Sequence, residues 1–178
     1  MALNIQPLDT YRVGRTQLPI PCALCDRDNM FDAPRCRACH APMALGRCST
    51  GDKKKLAPQL IAPLGADGVG KTVYLGMLLD LLNRQQDRCE MQTCDAQSVS
   101  IQQATISALS RDEFPELTSM ADERWKWAHL RLSQRVRRAK LDVFIADIAG
   151  RAILKEIEHP GSHVVIGPMM AKIRCRLT

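Results

Sequence analysis

No run of this chain approaches 18 consecutive apolar residues, so no segment reads as a membrane-spanning helix. Its first residues, MALNIQPLDTYRVGR, lack the basic start and apolar core of an export signal. The chain is therefore expected to stay in the cytoplasm. There is no internal repeat and no low-complexity tract, which argues against solenoids and disordered arrays. What is there is a soluble, globular balance: 178 residues, 46% hydrophobic and 25% charged, enough for one ordinary domain with a small appendage. The formal net charge of +6 lies largely in KKK (53–55) and RLSQRVRRAK (131–140). A solvated linker and a solvated turn account for these runs, and a surface for nucleic acid or an acidic partner is the alternative.

The eight cysteines are unevenly placed. CALC and CRAC supply two pairs, Cys22 with Cys25 and Cys36 with Cys39, whereas Cys48, Cys89, Cys94 and Cys175 follow no spacing pattern. In a chain expected to meet reducing conditions, two CxxC knuckles read as a tetrahedral zinc site of four thiolates. The ten-residue spacer DRDNMFDAPR suits a compact ribbon turn. CRACH also fits a haem-attachment pattern with His40 as axial ligand, but the second CxxC upstream favours zinc; a redox pair is a further alternative. Four protein ligands leave no position for water, so the expected role is structural. About 30 residues bury too little apolar surface to fold unaided.

The expected organisation is a zinc ribbon with its leader (1–45), a polar linker (46–58) and a nucleotide-binding region (59–178). LIAPLGADGVGKTVYLGMLLDLL (60–82) carries G-x-x-x-x-G-K-[ST] between a short apolar strand, QLIAPLG, and a helical segment. Gly65, Ala66, Asp67, Gly68, Val69, Gly70, Lys71 and Thr72 are the candidate phosphate loop. Glycines let backbone N–H groups turn toward phosphate oxygens, and the helix N-terminus adds positive potential. Lys71 reaches the β- and γ-phosphates in this reading, and Thr72 takes a position on Mg²⁺. Tyr74, Leu78, Leu81 and Leu82 recur at helical spacing after it.

KLDVFIADIAG (140–150) reads as an apolar strand ending at Asp147, the expected second Mg²⁺ carboxylate. Gly150 completes D-x-x-G, whose glycine amide can contact the γ-phosphate and let it go after hydrolysis. GADGVGKT together with DIAG resembles the P-loop GTPases of the Ras-like type. GKTVYLGMLLDLL, FPELTS and DVFIADIAG behind a four-cysteine ribbon look, more narrowly, like a bacterial double-GTPase-type domain, over residues 58–160. The resemblance implies an α/β sheet with flanking helices. It also makes FPELTS switch I, in which Thr118 senses Mg²⁺ and γ-phosphate.

Between the two motifs, SVSIQQATISALSRD predicts a helix opened by a capping box from Ser100 to Gln103. WKWAHLRLS and KLDVFIAD, separated by QRVRRA, predict an antiparallel hairpin. Trp125 and Trp127 share one side of a strand, as core or packing residues rather than a base-stacking platform. Two departures from the Ras-like pattern stand out. Arg151 occupies the place after DIAG where many such proteins have a water-orienting glutamine. N-K-x-D, the base-recognition motif, is absent from the 28 residues after Gly150, so GTP over ATP follows from the resemblance alone.

The expected function is a slow, Mg²⁺-dependent GTPase-like switch whose zinc ribbon or switch loops dock a protein partner. A zinc-ribbon nucleic-acid-binding ATPase and a non-hydrolysing nucleotide-binding adaptor are the alternatives. About four strands, counting KIRCRLT (172–178), imply an incomplete sheet with an exposed edge and an uncovered apolar face, as expected of a truncated or frame-shifted product or of a chain that needs a partner to complete its sheet.

Overall fold

The structure, a computed structural model, describes residues 19–49, 56–85, 90–121, 125–133 and 140–172. It is a mixed α/β protein with a two-stranded and a four-stranded sheet. Two short strands, β1 (Ile20–Pro21) and β2 (Asp28–Asn29), pair antiparallel at the base of the cysteine knuckles. Helix α1 (Ala44–Ser49) follows the second knuckle, so the boundary expected at residue 45 falls inside a helix. Leu45 is buried in the same core as the knuckles and Cys48 packs against it, which draws the start of the supposed linker into the ribbon. The lysine run at 53–55, the QRVRRA turn and residues 173–178 of the strand expected in KIRCRLT lie outside the described residues; Lys172 itself is helical.

The larger sheet has the order β3 (Gln59–Ile61), β6 (Lys140–Asp147), β5 (Lys126–Ser133), β4 (Glu90–Thr93). β3 runs parallel to β6, while β6, β5 and β4 form an antiparallel meander. The expected hairpin is present in full register, from Lys126 opposite Asp147 to Ser133 opposite Lys140. β4, the short segment EMQT, is a strand that the sequence did not announce.

Alternation along β5 and β6 divides the sheet into two buried faces. One carries Ala128, Leu130, Val143 and Ile145. Helices α2 (Lys71–Arg84) and α3 (Ala96–Leu109) cover it through Leu75, Leu79 and Ile101. Gly76 lets these two helices meet, because a Cβ there would lie 2.2 Å from the Thr105 hydroxyl oxygen. The inward residues of α2 are therefore Leu75, Gly76 and Leu79, with Leu78 and Leu82 at the margin; Tyr74 and Leu81 face solvent. The N-cap of α3 is Asp95, whose carboxylate accepts the Ser98 amide at 2.7 Å; Ser100, the expected cap, sits inside the helix.

The opposite face carries Trp127, Phe144 and Ala146, and the cysteine ribbon covers it. Trp125, Trp127, Phe144 and Ile148 join Cys22, Cys36, Cys39 and Met43 in one buried cluster, with Val165, Ile166 and Met169 around α5 (Ile166–Lys172). The expected uncovered apolar face is thus corrected: the ribbon is its cover. Burial on both faces explains why DVFIADIA reads as a continuous apolar run rather than an alternating one. Each large side chain fully buried here stabilises by about 1.5–3 kcal/mol. Trp125 and Trp127 are wholly internal, which removes them as a base-stacking surface.

Candidate functional site

Two constellations stand out, one in the cysteine ribbon and one around the loop ahead of α2. In the ribbon, Cys22, Cys25, Cys36 and Cys39 place their sulfurs within 4.8 Å of one another. Cys22 and Cys39 are 3.6 Å apart, as are Cys25 and Cys36. Four thiolates around a tetrahedral zinc, each roughly 2.3 Å from the ion, stand about 3.8 Å apart, so the cluster is compatible with zinc. The surroundings suit thiolates too. Backbone amides of Leu24 and Ala38 donate to Cys22 and Cys36 at 3.4 Å, and the Asn29 side chain donates to Cys36 at 3.5 Å. The bond to Cys39 holds the Cys22 thiol down at about 5, while the same bond and burial push Cys39 up.

The two knuckles repeat one turn. Asp26 N–H donates to Cys22 O at 3.0 Å and His40 N–H to Cys36 O at 2.9 Å, both residues with left-handed φ, 58° and 53°. His40 is thus the counterpart of Asp26, a turn residue, and the haem reading finds no support in its placement.

On the other constellation, the loop 65–70 connects β3 to α2. Gly68 and Gly70 take φ of 76° and 87°, in the left-handed region, and Gly70 caps the helix. Lys71 folds back so that its Nζ donates to the carbonyls of Gly65 and Ala66 at 3.1 and 2.7 Å. From the first turn of α2, Thr72 Oγ1 donates to Asp147 at the end of β6, 3.0 Å from each carboxylate oxygen. Thr118 joins them from the loop after α3: its hydroxyl lies 3.2 Å from that of Thr72 and 3.3 Å from Asp147 Oδ2. Burial pushes the Asp147 carboxyl up from its ordinary value, with the Thr72 and Thr118 hydrogen bonds acting against that rise.

Helix α4 (Gly150–Glu158) starts against the same loop. A Cβ on Gly150 would lie 2.5 Å from Ala66 C, Asp67 N and Gly65 O, so only glycine permits this approach. Asp67 accepts the Arg151 amide at 3.0 Å and also pairs with the Arg151 guanidinium. These bonds hold the Asp67 carboxyl below its ordinary value, against the opposing effect of desolvation. Between the loop and residues 114–118 lies a cleft of about 290 Å³, with Ala149 and Gly150 at its floor. Phe114 and Leu117 stand largely exposed at its rim.

The structure thus brings together Lys71, Thr72, Thr118 and Gly150, from three separate segments, around one cleft, with the buried Asp147 tied to the Thr72 and Thr118 hydroxyls. Val69 points to solvent at its edge. Sequence reasoning missed the tie between Asp67 and Arg151, although the unusual arginine after D-x-x-G marked the position. The ribbon is linked to the segment that carries Thr118: Arg35 donates to Trp125 O at 3.5 Å, and Trp125 Nε1 to Ser119 O at 2.8 Å, one residue after Thr118. Comparison with protein-family models, with curated proteins and with solved structures finds no match.

Proposed function

We propose that this chain binds a nucleoside triphosphate with Mg²⁺ in the cleft and hydrolyses it slowly, as a GTPase-like switch attached to a structural zinc ribbon. The observation that carries this reading is the convergence of Thr72, Thr118 and Asp147 beside a glycine loop and its lysine. Two hydroxyls and one carboxylate around a common point form an oxygen donor set suited to a hard divalent cation. Thr72 and Asp147 would hold Mg²⁺, with Thr118 closing the site from its loop. When bound, the ion neutralises charge on the β- and γ-phosphates.

Lys71 would exchange the carbonyls of Gly65 and Ala66 for phosphate oxygens, and residues 65–72 would direct amide N–H groups at the same anions. Thr118 and Gly150 lie on the two segments, FPELTS and DIAGR, that would order with the triphosphate and relax after hydrolysis. Arg151 cannot accept a proton, so the attacking water lacks the usual orienting group and turnover should be slow. A protein partner would read the change through Phe114 and Leu117 at the rim, or through Met30 and Phe31 on the outer side of the ribbon, all of them exposed. GTP in preference to ATP follows from the resemblance to Ras-like P-loop proteins.

The deciding measurement is ATP and GTP affinity with and without Mg²⁺, followed by phosphate release. Expected are Mg²⁺-dependent GTP binding and turnover of about 10⁻⁴ to 10⁻² s⁻¹. Lys71→Ala should weaken binding by about 10- to 150-fold, the worth of a hydrogen bond to a charged group. Unchanged affinity in both Lys71→Ala and Thr72→Ala rejects the reading. ATP preference with salt-sensitive nucleic-acid binding would point to the ATPase alternative, and tight retention without turnover to the adaptor.

A further inference from the structure

A second group of metal-ligating side chains lies where the ribbon meets the sheet, apart from the four-cysteine cluster and from the cleft. Cys48 comes from α1, His129 from β5 and Asp142 from β6, and their ligand atoms all lie within 4.8 Å of one another. Cys48 Sγ is 3.9 Å and Asp142 Oδ1 3.2 Å from the same nitrogen, His129 Nε2. His129 and Asp142 are buried and Cys48 is half-buried.

The convergence on one nitrogen decides between chemistries. A nucleophilic relay needs the thiol on one ring nitrogen and the carboxylate on the other, so that the base is oriented from behind. Here both face Nε2, and a single N–H cannot serve both well. A metal ion can, because it takes the imidazole lone pair, the thiolate and a carboxylate oxygen together. We propose that Cys48, His129 and Asp142 form a second zinc site that fastens α1 of the ribbon to β5 and β6 of the sheet.

The donor set selects the metal. A thiolate and an imidazole with one carboxylate suit zinc, whereas Mg²⁺ and Ca²⁺ take oxygen ligands. Donors on a tetrahedral zinc stand roughly 3.3–3.7 Å apart, so the observed 3.9 and 3.2 Å need shifts of a few tenths of an ångström, and the third pair, Cys48 and Asp142, lies within 4.8 Å and needs to close by about 1 Å at most. Two of the ligands are already oriented from outside, as metal ligands commonly are. The His129 ring stacks on Phe144 at 4.1 Å, and Arg131 Nε donates to Asp142 Oδ1 at 3.0 Å. Binding releases one proton, from the Cys48 thiol to solvent; thiolate and carboxylate then offset the two positive charges of the ion, and the Arg131 guanidinium on Asp142 leaves the site with one net positive charge. Three protein ligands leave the fourth position to water.

The test uses the full chain, dialysed against micromolar zinc and then freed of loose metal. Expected is two zinc ions per chain in the wild type and one in Cys48→Ser and in His129→Gln. Cobalt titration of the metal-free wild-type chain, which refolds as the four-cysteine site fills, gives a readout that needs no variant to fold. The second equivalent should bring thiolate charge-transfer absorption about a quarter as strong as the first, one thiolate against four. A chain that saturates at one ion overturns the proposal. So does a second ion that lacks thiolate absorption, or one that survives in Cys48→Ser.

Discussion

Asp67, in the loop ahead of α2, holds both the backbone amide and the guanidinium of Arg151, the first residue after D-x-x-G. Asp67 lines the cleft, where the proposed triphosphate would bring more negative charge. Arg151 is largely exposed, so the pair contributes at most about 1 kcal/mol to stability. Asp67→Ala should leave the thermal midpoint nearly unchanged and tighten triphosphate binding several-fold by removing the like charge. Isothermal titration with GTP and ATP checks this. Weaker binding in Asp67→Ala would show that the acid assists the ligand.

Asp147 is buried with a raised carboxyl pKa. Between the ordinary Asp value of about 3.9 and that raised one, the native chain keeps a proton that the unfolded chain has released. Stability in the absence of nucleotide therefore falls as pH rises through that window. Asp147→Asn should flatten this dependence and raise the melting temperature at pH 7, while Mg²⁺-dependent triphosphate binding is lost. Thermal scans from pH 4 to pH 8 provide the measurement. A lower melting temperature at pH 7 in the variant contradicts the account.

How much of this could be read beforehand differs from residue to residue. The four-cysteine cluster and the glycine turn ahead of α2 are legible because both are set by local spacing. Asp147 is legible because it ends an apolar strand, and Gly150, three residues on, opens the helix that follows. The inward face of α2 is not: Leu75 and Leu79 compete with Tyr74 and Leu81 at the same helical period. Asp95 was hidden as a cap because Ser100 and Gln103 offered the more familiar pattern three residues apart. The ribbon's place on the sheet was least visible. An apolar run such as DVFIAD says that both faces are covered, but the identity of the cover is a long-range fact that no period encodes.

Because the ribbon and one sheet face share a core, the two should unfold together. Structural zinc contributes about 10 kcal/mol or more in small zinc modules, comparable to the whole stability of a domain at 5–15 kcal/mol. Cys36→Ser should therefore abolish the cooperative melting transition of the entire chain. Residues 56–178 expressed alone, with Trp127 and Phe144 uncovered, should aggregate. Calorimetry showing the sheet transition intact in Cys36→Ser would mean that the ribbon is dispensable.

Gly150→Ala inserts a methyl group against backbone atoms of residues 65–67, which cannot swing aside as a side chain would. A cost of about 1–3 kcal/mol is expected from overpacking, together with a displaced loop and weakened nucleotide binding. Melting temperature and GTP affinity should fall together. Gly161→Ala also puts a side chain on a left-handed φ, but its Cβ would meet nothing within 4 Å, so it serves as the control. Its melting temperature should drop without a change in affinity.

The ribbon as second layer of the sheet changes what a chelator or an oxidant is to this chain. Reagents that strip or oxidise the Cys22, Cys25, Cys36 and Cys39 thiols would act as denaturants of a core that also contains Trp125, whose indole is tied to Ser119 next to Thr118. Metal supply and redox condition would then set how many copies of the chain are intact, before any question of what is bound in the cleft.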